Sequence, residues 1–325
     1  MDLTPGTSAL VIGGDARAAG QVATLLEAGA VVTVVAPSAT ASIEDLADRG
    51  LITWHPREAD MADVQKAGVV LTGLADRTAP DRILDSGTVT LVGGGPGDPG
   101  LVTVAGREAI EHADVIVTDR LAPLAALAWA RPDTEIIDVA KIPGGRSTSQ
   151  DEINQLLVEH AKSGKNVVRF KGGDNFVFGR GSEELLACLH AGIDARVIPG
   201  VSSAIAAPAL AGIPVTHRGL TQGFTVISGH VPPGHPESTL DYPALAASGT
   251  TIVVLMGVRT LSAICAALAD GGLDPDTPAA VIADGTLPSQ RVVRATLATL
   301  DEAAAGLGAP AVAVIGEVAD IEGLR

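Results

Sequence analysis

Aromatic residues and cysteine are scarce in this chain. Phe, Trp and Tyr make up 2% of the 325 residues, and the cysteines are two, Cys188 and Cys265. Both cysteines lie in amphipathic helical patterns and lack the spacing of metal ligands, so we expect buried thiols and no metal site. Unpaired thiols of this kind are typical of a reducing compartment, which predicts a cytoplasmic protein.

Positive charge and long apolar runs are also in short supply. Lys and Arg number 22 against 38 Asp and Glu, which gives a formal net charge of −16. Nucleic acid is therefore not expected as a partner, because phosphate binding needs a basic surface. A site for a polyanionic small molecule would have to be locally basic. No apolar run reaches the length of a membrane span, and residues 1–8 lack the pattern of a signal peptide, so no membrane association is expected.

What the chain has is a regular alternation of β-branched runs with Ala- and Leu-rich helical stretches, which predicts an α/β fold. The length predicts two or three domains. We expect a small Rossmann-like βαβ module over 1–86 and a larger α/β part divided into subdomains over 87–215 and 216–325. One helix start is well marked, because Ser149 and Glu152 form a capping-box pattern before an apolar repeat.

Two glycine-rich turns follow predicted strands. In the first, GGDARAAG (13–20), Asp15 stands where a dinucleotide site would have its second glycine, so NAD binding there is doubtful. In the second, GGGPGDPG (93–100), Pro96 and Pro99 are incompatible with a phosphate-binding P-loop, and no Lys-Ser/Thr pair follows. The second turn therefore favours a ligand without phosphates.

A series of separated motifs over about residues 88–325 resembles uroporphyrinogen-III C-methyltransferases of the tetrapyrrole methylase family. The motifs occur in the same order and spacing as in that family: LVGGGPGDPGLVTV, DVIVTDRL, DVAK, VVRFKGGDNFVFGRGSEE, VIPGVSSA, AGIPVTHRG, VVLMGV and DGTLPSQRVV. The first 85 residues resemble the opening of the NAD-dependent module of fused siroheme synthases, without the rest of that module.

The resemblance implies two α/β subdomains with the active cleft between them, and a homodimer. It also implies transfer of two methyl groups from S-adenosylmethionine to carbons 2 and 7 of uroporphyrinogen III, giving precorrin-2 and S-adenosylhomocysteine in siroheme or cobalamin biosynthesis. Three alternatives stay open: another tetrapyrrole C-methyltransferase of the cobalamin pathway, a bifunctional enzyme with NAD-dependent precorrin-2 dehydrogenase activity, and a non-catalytic cofactor-binding regulator. For the dehydrogenase, Asp76 lies near the expected acid but is followed by Arg77.

Site residues are carried over from the motifs that match. The resemblance assigns Asp119 as proton acceptor and Lys141 as proton donor. It places the S-adenosylmethionine site at Pro96, Gly172, Gly173, Asp174, Val177, Ser202, Ser203, Met256 and Gly285. Because the substrate carries eight carboxylates, the basic residues of the same motifs are candidates for binding it, and several of them are expected to line the mouth of the cleft: Arg120, Arg146, Lys171, Arg180, His217 and Arg218.

Three positions depart from the family pattern. Asn175 replaces the usual proline after the acidic residue, Ser182 a usual glycine, and Thr118 a usual tyrosine. Asn and Ser tolerate a loop backbone, so we expect the loop to survive. Three of the four phenylalanines lie in or beside residues 171–184. We expect Phe176 and Phe178 to pack that loop, and Glu183 and Glu184 to open the next helix, where acids complement the helix dipole.

Overall fold

A computed structural model describes residues 6–14, 16–72, 87–139, 148–321 and 323–324. The chain divides into two compact units, Met1–Ile83 and Leu84–Arg325. Among the described residues, no helix is long and apolar enough to cross a membrane.

The first unit is a small parallel α/β layer. Its four-stranded sheet has the order β3-β2-β1-β4, and every pair of neighbours is parallel. Apolar side chains of β1 and β2 pack against the first two helices to form the core of the unit. The elements are β1 (Ser8–Ile12), α1 (Ala16–Glu27), β2 (Val31–Val35), α2 (Ala41–Asp48), β3 (Thr53–His55), α3 (Met61–Lys66) and β4 (Val69–Thr72).

The second unit begins with a five-stranded parallel sheet of order β7-β6-β8-β5-β9. Strands β5, β6 and β8 are buried along their whole length, as expected for parallel strands covered on both faces. The elements are β5 (Val89–Gly93), α4 (Val104–Glu111), β6 (Val115–Thr118), β7 (Glu135–Asp138), α5 (Gln150–Lys162), β8 (Val167–Lys171), α6 (Gly181–His190), β9 (Ala195–Ile198) and α7 (Ser203–Leu210).

The same unit continues into a mixed sheet of order β10-β11-β14-β12-β13. Strand β14 runs antiparallel to both β11 and β12, so β10, β11 and β12 all end at one edge. Helix α7 packs on this second sheet through Ala204 and Ala207 and so joins the two halves of the unit. The elements are β10 (Phe224–Ser228), α8 (Tyr242–Ala246), β11 (Thr251–Leu255), α9 (Leu261–Asp270), β12 (Pro278–Ala283), β13 (Arg291–Thr296), α10 (Leu300–Ala303) and β14 (Ala311–Ile315).

The predicted α/β fold is confirmed: the β-branched runs form strands that alternate with helices. The predicted capping box also forms: Ser149 Oγ accepts the Glu152 N–H at 3.2 Å, and Glu152 Oε2 accepts the Ser149 N–H at 2.7 Å. Within the first unit, the sequence patterns did not predict β3, α2 or α3. Strand β3 has only three residues, too few for an alternating pattern to register.

Candidate functional site

The predicted cofactor motifs meet at the carboxyl edge of the first sheet. The loop after β5 joins the loop after β8 through two backbone bonds between Gly95 and Gly173, at 3.1 and 2.6 Å. The Gly94 N–H donates to the Lys171 carbonyl at 2.7 Å. This edge is where open α/β sheets bind ligands. Because the amides of Gly94 and Gly95 are already used, the turn offers little to a phosphate group.

Backbone segments approach so closely at this edge that side chains are excluded. A Cβ atom on Gly200, which follows β9, would lie 2.3 Å from the Gly173 oxygen and 2.5 Å from the Gly93 carbonyl carbon. A Cβ atom on Gly172 would lie 2.3 Å from the Leu121 oxygen, after β6. The glycines therefore let four strand-end loops stack directly on one another.

Asp174 and Asn175 fix the loop that follows β8. The two carboxylate oxygens of Asp174 accept the Phe176 N–H at 2.8 Å and the Gly200 N–H at 3.1 Å. Asn175 is fully buried, and its Nδ2 donates to the Ile198 carbonyl at 2.9 Å and the Leu91 carbonyl at 3.4 Å. Its Oδ1 has no hydrogen-bond partner. The residue that departs from the family pattern thus ties the loop to β5 and β9.

Unusual backbone conformations concentrate in the same motifs. Among the described residues, five non-glycine residues have positive φ angles between 50° and 76°. Two belong to the loop after β8, one follows β11, and two flank Gly285 after β12. Backbone strain of this kind persists where the surrounding structure enforces it and is common at ligand sites. The five residues are Phe178, Arg180, Met256, Asp284 and Thr286.

The second sheet contributes its own edge to the site. Met256 directly follows β11 and is 50% exposed, and Gly285 follows β12. The loop after β5 contacts the loop after β12, because the Asp98 N–H donates to Thr286 Oγ1 at 3.0 Å. A Cβ atom on Gly285 would lie 2.5 Å from Ala207 Cβ in α7. The predicted cofactor residues of both sheets therefore border one region of the second unit.

Asp119, the predicted proton acceptor, is held on both oxygens. Its Oδ1 accepts the Leu121 N–H at 3.1 Å, and its Oδ2 accepts a hydrogen bond from Arg169 Nη2 at 3.1 Å. Its side chain is 27% exposed, whereas that of Arg169 is 4% exposed. The Asp119 side chain is therefore partly exposed at the surface of the site, while a side chain buried in the sheet, Arg169, holds its carboxylate.

Lys171 does not lie where the sequence predicted, at an exposed cleft mouth. Its side chain is 7% exposed, and its Nζ bonds Glu184 Oε2 at 2.8 Å. Burial lowers the pKa of the Lys171 ammonium, and the neighbouring Arg169 charge lowers it further, while Glu184 opposes both effects. Contact with a substrate carboxylate would require the ammonium to leave Glu184.

The other predicted substrate-binding residues within the described part of the chain are at the surface. Arg120, His217 and Arg218 are exposed. Arg180 is also exposed and forms a bidentate pair with Glu183, with distances of 2.8 and 2.7 Å. Lys141, Arg146, Asp15, Asp76 and Arg77 lie outside the described residues.

The aromatic residues of the loop do not pack as expected. Phe176 is 56% exposed and Phe178 is 45% exposed, so the structure does not bear out the expectation that they pack the loop. Asn175 and the closely approaching glycines fill that interior instead. Val177, predicted to contact the cofactor, is 38% exposed.

Ser202 caps α7 by accepting the Ala204 N–H at 3.3 Å, and Ser203 is the first residue of that helix. The described ranges contain no cluster of three or more potential metal ligands.

A family model for tetrapyrrole (corrin/porphyrin) methylases matches residues 88–301 of this sequence. The chain belongs to the tetrapyrrole methylase family. A second family model, for putative NAD(P)-binding domains, matches residues 4–96. The resemblance read from the motifs is thereby confirmed for both parts of the chain.

Two kinds of named relatives resemble this chain. A uroporphyrinogen-III C-methyltransferase of Methanocaldococcus jannaschii is 47% identical over 239 residues, which are 73% of this chain and 98% of that protein. Siroheme synthase 1 of Klebsiella pneumoniae is 46% identical over 242 residues, which are 74% of this chain and 50% of that protein. This chain therefore spans about half the length of the siroheme synthase it matches.

A solved structure supports the fold of the methylase part. Uroporphyrin-III C-methyltransferase from Thermus thermophilus, complexed with S-adenosylhomocysteine, superposes with a TM-score of 0.61 at 38% identity. The match covers 71% of this chain and 92% of that one.

Sequence reasoning missed several residues that lie at these strand ends. Arg169 was not singled out, although a buried-strand pattern interrupted by Arg and Lys (VVRFK) was a visible signal. Glu184 was expected only as an acid that opens α6, not as a partner of buried cations. Thr286 carries the bond between the two loops, and a single threonine in a loop gives no such signal. His230 follows β10 at the same edge as Met256, since β10 and β11 are parallel and end together. Its strand-end position in ISGH was the available clue.

Proposed function

We propose that this protein catalyses S-adenosylmethionine-dependent C-methylation of uroporphyrinogen III at carbons 2 and 7, giving precorrin-2. The observation that carries the proposal is the convergence of the cofactor motifs and Asp119 at adjoining strand ends. The M. jannaschii relative has uroporphyrinogen-III C-methyltransferase as its name, and the match covers 98% of that protein.

The site fits a cationic cofactor that lacks phosphates. The Gly94 and Gly95 amides are bonded to the loop after β8, so they are not arranged as a phosphate cradle. Val177 and Met256 present half-exposed apolar surface at the strand ends, which suits an adenine ring or a thioether arm. Residues Pro96, Gly172, Gly173, Asp174, Ser202, Ser203 and Gly285 would complete the binding region.

When bound, S-adenosylmethionine supplies a methyl group on a sulfonium. That methyl group would pass to a nucleophilic carbon of the substrate, and the electron pair of the broken S–CH₃ bond would stay on sulfur. Asp119 would accept the proton that the macrocycle must lose, since its carboxylate is partly exposed and acceptor-only. Lys141 would act as proton donor. Alignment of the reacting carbon with the methyl group would contribute more to the rate than proton transfer.

Recognition of an eight-carboxylate substrate by a chain of net charge −16 requires a local reversal of charge. Arg120, His217 and Arg218 are exposed, and Arg180 is exposed beside Glu183, so these four are available to carboxylates. We include Arg146 and Lys171 in the proposed set on the basis of the motifs. Lys171 would join it only by exchanging Glu184 for a substrate carboxylate.

The proposal is tested by anaerobic incubation of the purified protein with uroporphyrinogen III and methyl-labelled S-adenosylmethionine. We expect two labelled methyl groups per macrocycle. Asp119→Asn should lower the rate of incorporation about 100- to 10,000-fold, the range typical for loss of a general base, while S-adenosylhomocysteine still binds, because Asp119 is not among the cofactor residues. Label entering a later cobalamin precursor but not uroporphyrinogen III would instead identify another tetrapyrrole C-methyltransferase. A fully active Asp119→Asn variant would contradict the assigned proton acceptor. Binding of S-adenosylhomocysteine without any incorporation of label by the wild-type protein would favour the regulator.

A second candidate activity is NAD-dependent dehydrogenation of precorrin-2, which the match of residues 4–96 to NAD(P)-binding domains favours. We propose that the first unit is a scaffold without this activity. The loop after β2 folds onto the glycine turn: the Thr40 N–H donates to the Gly14 carbonyl at 2.8 Å, and a Cβ atom on Gly14 would lie 1.9 Å from the Ser38 oxygen. Saturable micromolar binding of NAD to the full chain would overturn the scaffold proposal.

We further propose a cytoplasmic homodimer with three structural parts, 1–86, 87–215 and 216–325. The buried free thiols of Cys188 and Cys265 support a reducing compartment. Separate sheets in 89–198 and 224–315 support two methylase subdomains. Light scattering of the purified chain tests the dimer, and a monomeric mass at micromolar concentration would contradict it.

A further inference from the structure

Four charged side chains meet behind the carboxyl edge of the first sheet. Arg169 Nε bonds Glu184 Oε1 at 3.0 Å, and Arg169 Nη2 bonds Asp119 Oδ2 at 3.1 Å. Lys171 Nζ bonds the second oxygen of Glu184 at 2.8 Å. Arg169 and Lys171 are two residues apart in β8, so their side chains share one face of the strand. Glu184 lies in the first turn of α6. We call these four residues the charge cluster.

The charge cluster is more deeply buried than a stability role requires. The side chains of Arg169, Lys171 and Glu184 are 4%, 7% and 0% exposed. Buried ion pairs usually give no more stability than apolar residues of similar volume, because desolvation offsets their attraction. Two cations and two anions make the cluster neutral as a whole, and Asp119 alone reaches the surface. Stability alone therefore does not explain the charge cluster, and Asp119, its one partly exposed member, is where a functional role would act.

Arg169 is immobilised by every side of its guanidinium. Besides the two carboxylates, its Nη1 donates to the Val117 and Phe170 carbonyls, both at 3.2 Å. A planar fork bound at three corners cannot rotate without breaking several hydrogen bonds. Because the Leu121 N–H holds the other Asp119 oxygen, the carboxylate plane of Asp119 is fixed from two directions.

We propose that Arg169 is a positioning residue for Asp119, and that Glu184 and Lys171 hold Arg169 in place. The inference rests on the proposed function of Asp119 as proton acceptor. Arg169 orients the Asp119 carboxylate, and Glu184 neutralises the guanidinium charge. Lys171 binds the second oxygen of Glu184 and so holds Glu184 in place. The cluster also links α6, which directly follows the cofactor loop, to the proton acceptor.

The test is a double-mutant cycle with Arg169→Lys and Asp119→Asn. A lysine keeps the charge but has one ammonium, which cannot span Glu184 and Asp119 together. We expect Arg169→Lys to lower kcat about 100-fold, the usual cost of a misplaced catalytic group. KM for uroporphyrinogen III and the Kd of S-adenosylhomocysteine should not change. The double variant should be no slower than Asp119→Asn alone, because Arg169 acts through Asp119.

A matched control is Arg131→Lys. Arg131 also bridges two carboxylates, Asp114 at 2.8 Å and Asp133 at 3.3 Å, but at the amino-terminal end of β6. Its substitution should leave kcat unchanged. If Arg169→Lys does not fold, Glu184→Gln replaces it in the cycle, since it keeps the side-chain shape and removes one charge; the same pattern with a smaller loss is expected.

Multiplicative losses in the double variant, or wild-type kcat in Arg169→Lys, would overturn the inference. A crystal structure of Arg169→Lys gives a readout that needs no activity. We expect the Asp119 carboxylate to be displaced or disordered, and an unmoved carboxylate would overturn the proposal even if the substrate were a different tetrapyrrole. Absence of methylation by the wild-type protein would instead contradict the proposed function.

Discussion

Gly200→Ala tests whether the close stacking of strand-end loops creates the cofactor site. The new methyl group would lie 2.3 Å from the Gly173 oxygen, and ordinary contact begins near 3.4 Å, so the loops after β8 and β9 must separate by about 1 Å. Both neighbours are backbone atoms, which cannot rotate away. The same shift would stretch the 3.1 Å bond from the Gly200 N–H to Asp174.

The magnitude follows from overpacking, which costs about 1–3 kcal/mol. For a unit of this size each kcal/mol lowers Tm by about 2–4 °C, so a drop of about 2–12 °C is expected. A displacement of about 1 Å near a reacting group lowers the rate about 100-fold. Differential scanning fluorimetry measures the first effect, and titration with S-adenosylhomocysteine and turnover measure the second.

Gly308→Ala is the matched control. Gly308 lies in the same unit and has no left-handed backbone angle, and no atom lies within 4 Å of the position that its Cβ would occupy. The substitution should therefore be neutral or slightly stabilising. A Gly200→Ala protein with wild-type Tm and wild-type affinity for S-adenosylhomocysteine would refute the stacking argument.

Three further predictions concern other parts of the second unit. Thr286→Val removes the acceptor for the Asp98 N–H, and the loss of this hydrogen bond, worth about 0.5–1.5 kcal/mol, should weaken S-adenosylhomocysteine binding about 2- to 10-fold. Thr286→Ser keeps the hydroxyl and should bind with wild-type affinity. Equal affinity in all three proteins would count against the contact. In urea unfolding, Asn175→Asp should lower the free energy of unfolding more than Asn175→Ala does, because it places a carboxylate against the Ile198 and Leu91 carbonyls. A larger loss in Asn175→Ala would contradict the assigned amide orientation. Burial raises the pKa of the Cys188 and Cys265 thiols from 9.0 to about 11. The folded state therefore holds these protons more tightly than the unfolded chain, and this contribution to the free energy of unfolding is lost as pH rises from 9 towards 11. A native protein whose thiols react with a disulfide reagent at pH 8 as fast as those of the unfolded chain would contradict this prediction.

Much of the fold was predictable because its signals are local. Buried parallel strands appear as continuous β-branched runs, and a capping box needs only Ser149 and Glu152 at the right spacing. Strand ends then identify where a site lies, since parallel strands bring Asp119 and Gly172 to one edge. The motif order added the chemistry that topology alone does not give.

What the sequence did not predict depends on contacts between distant segments. Lys171 belongs to a motif rich in charge, and nothing in its neighbours indicates that Glu184, thirteen residues later, covers it inside the fold. The exposure of Phe176 and Phe178 was missed for a similar reason. Loop interiors filled by backbone and by Asn175 leave no room for rings, and only the packed structure shows that the space is taken.

The position of label in the product tests the central claim most directly. Uroporphyrinogen III would be incubated with the protein and with S-adenosylmethionine carrying a ¹³C methyl group, and the product would be analysed by NMR. The account predicts two labelled methyl groups, at carbons 2 and 7, and much slower labelling by Asp119→Asn. Unlabelled substrate, or label at other ring carbons, would contradict it.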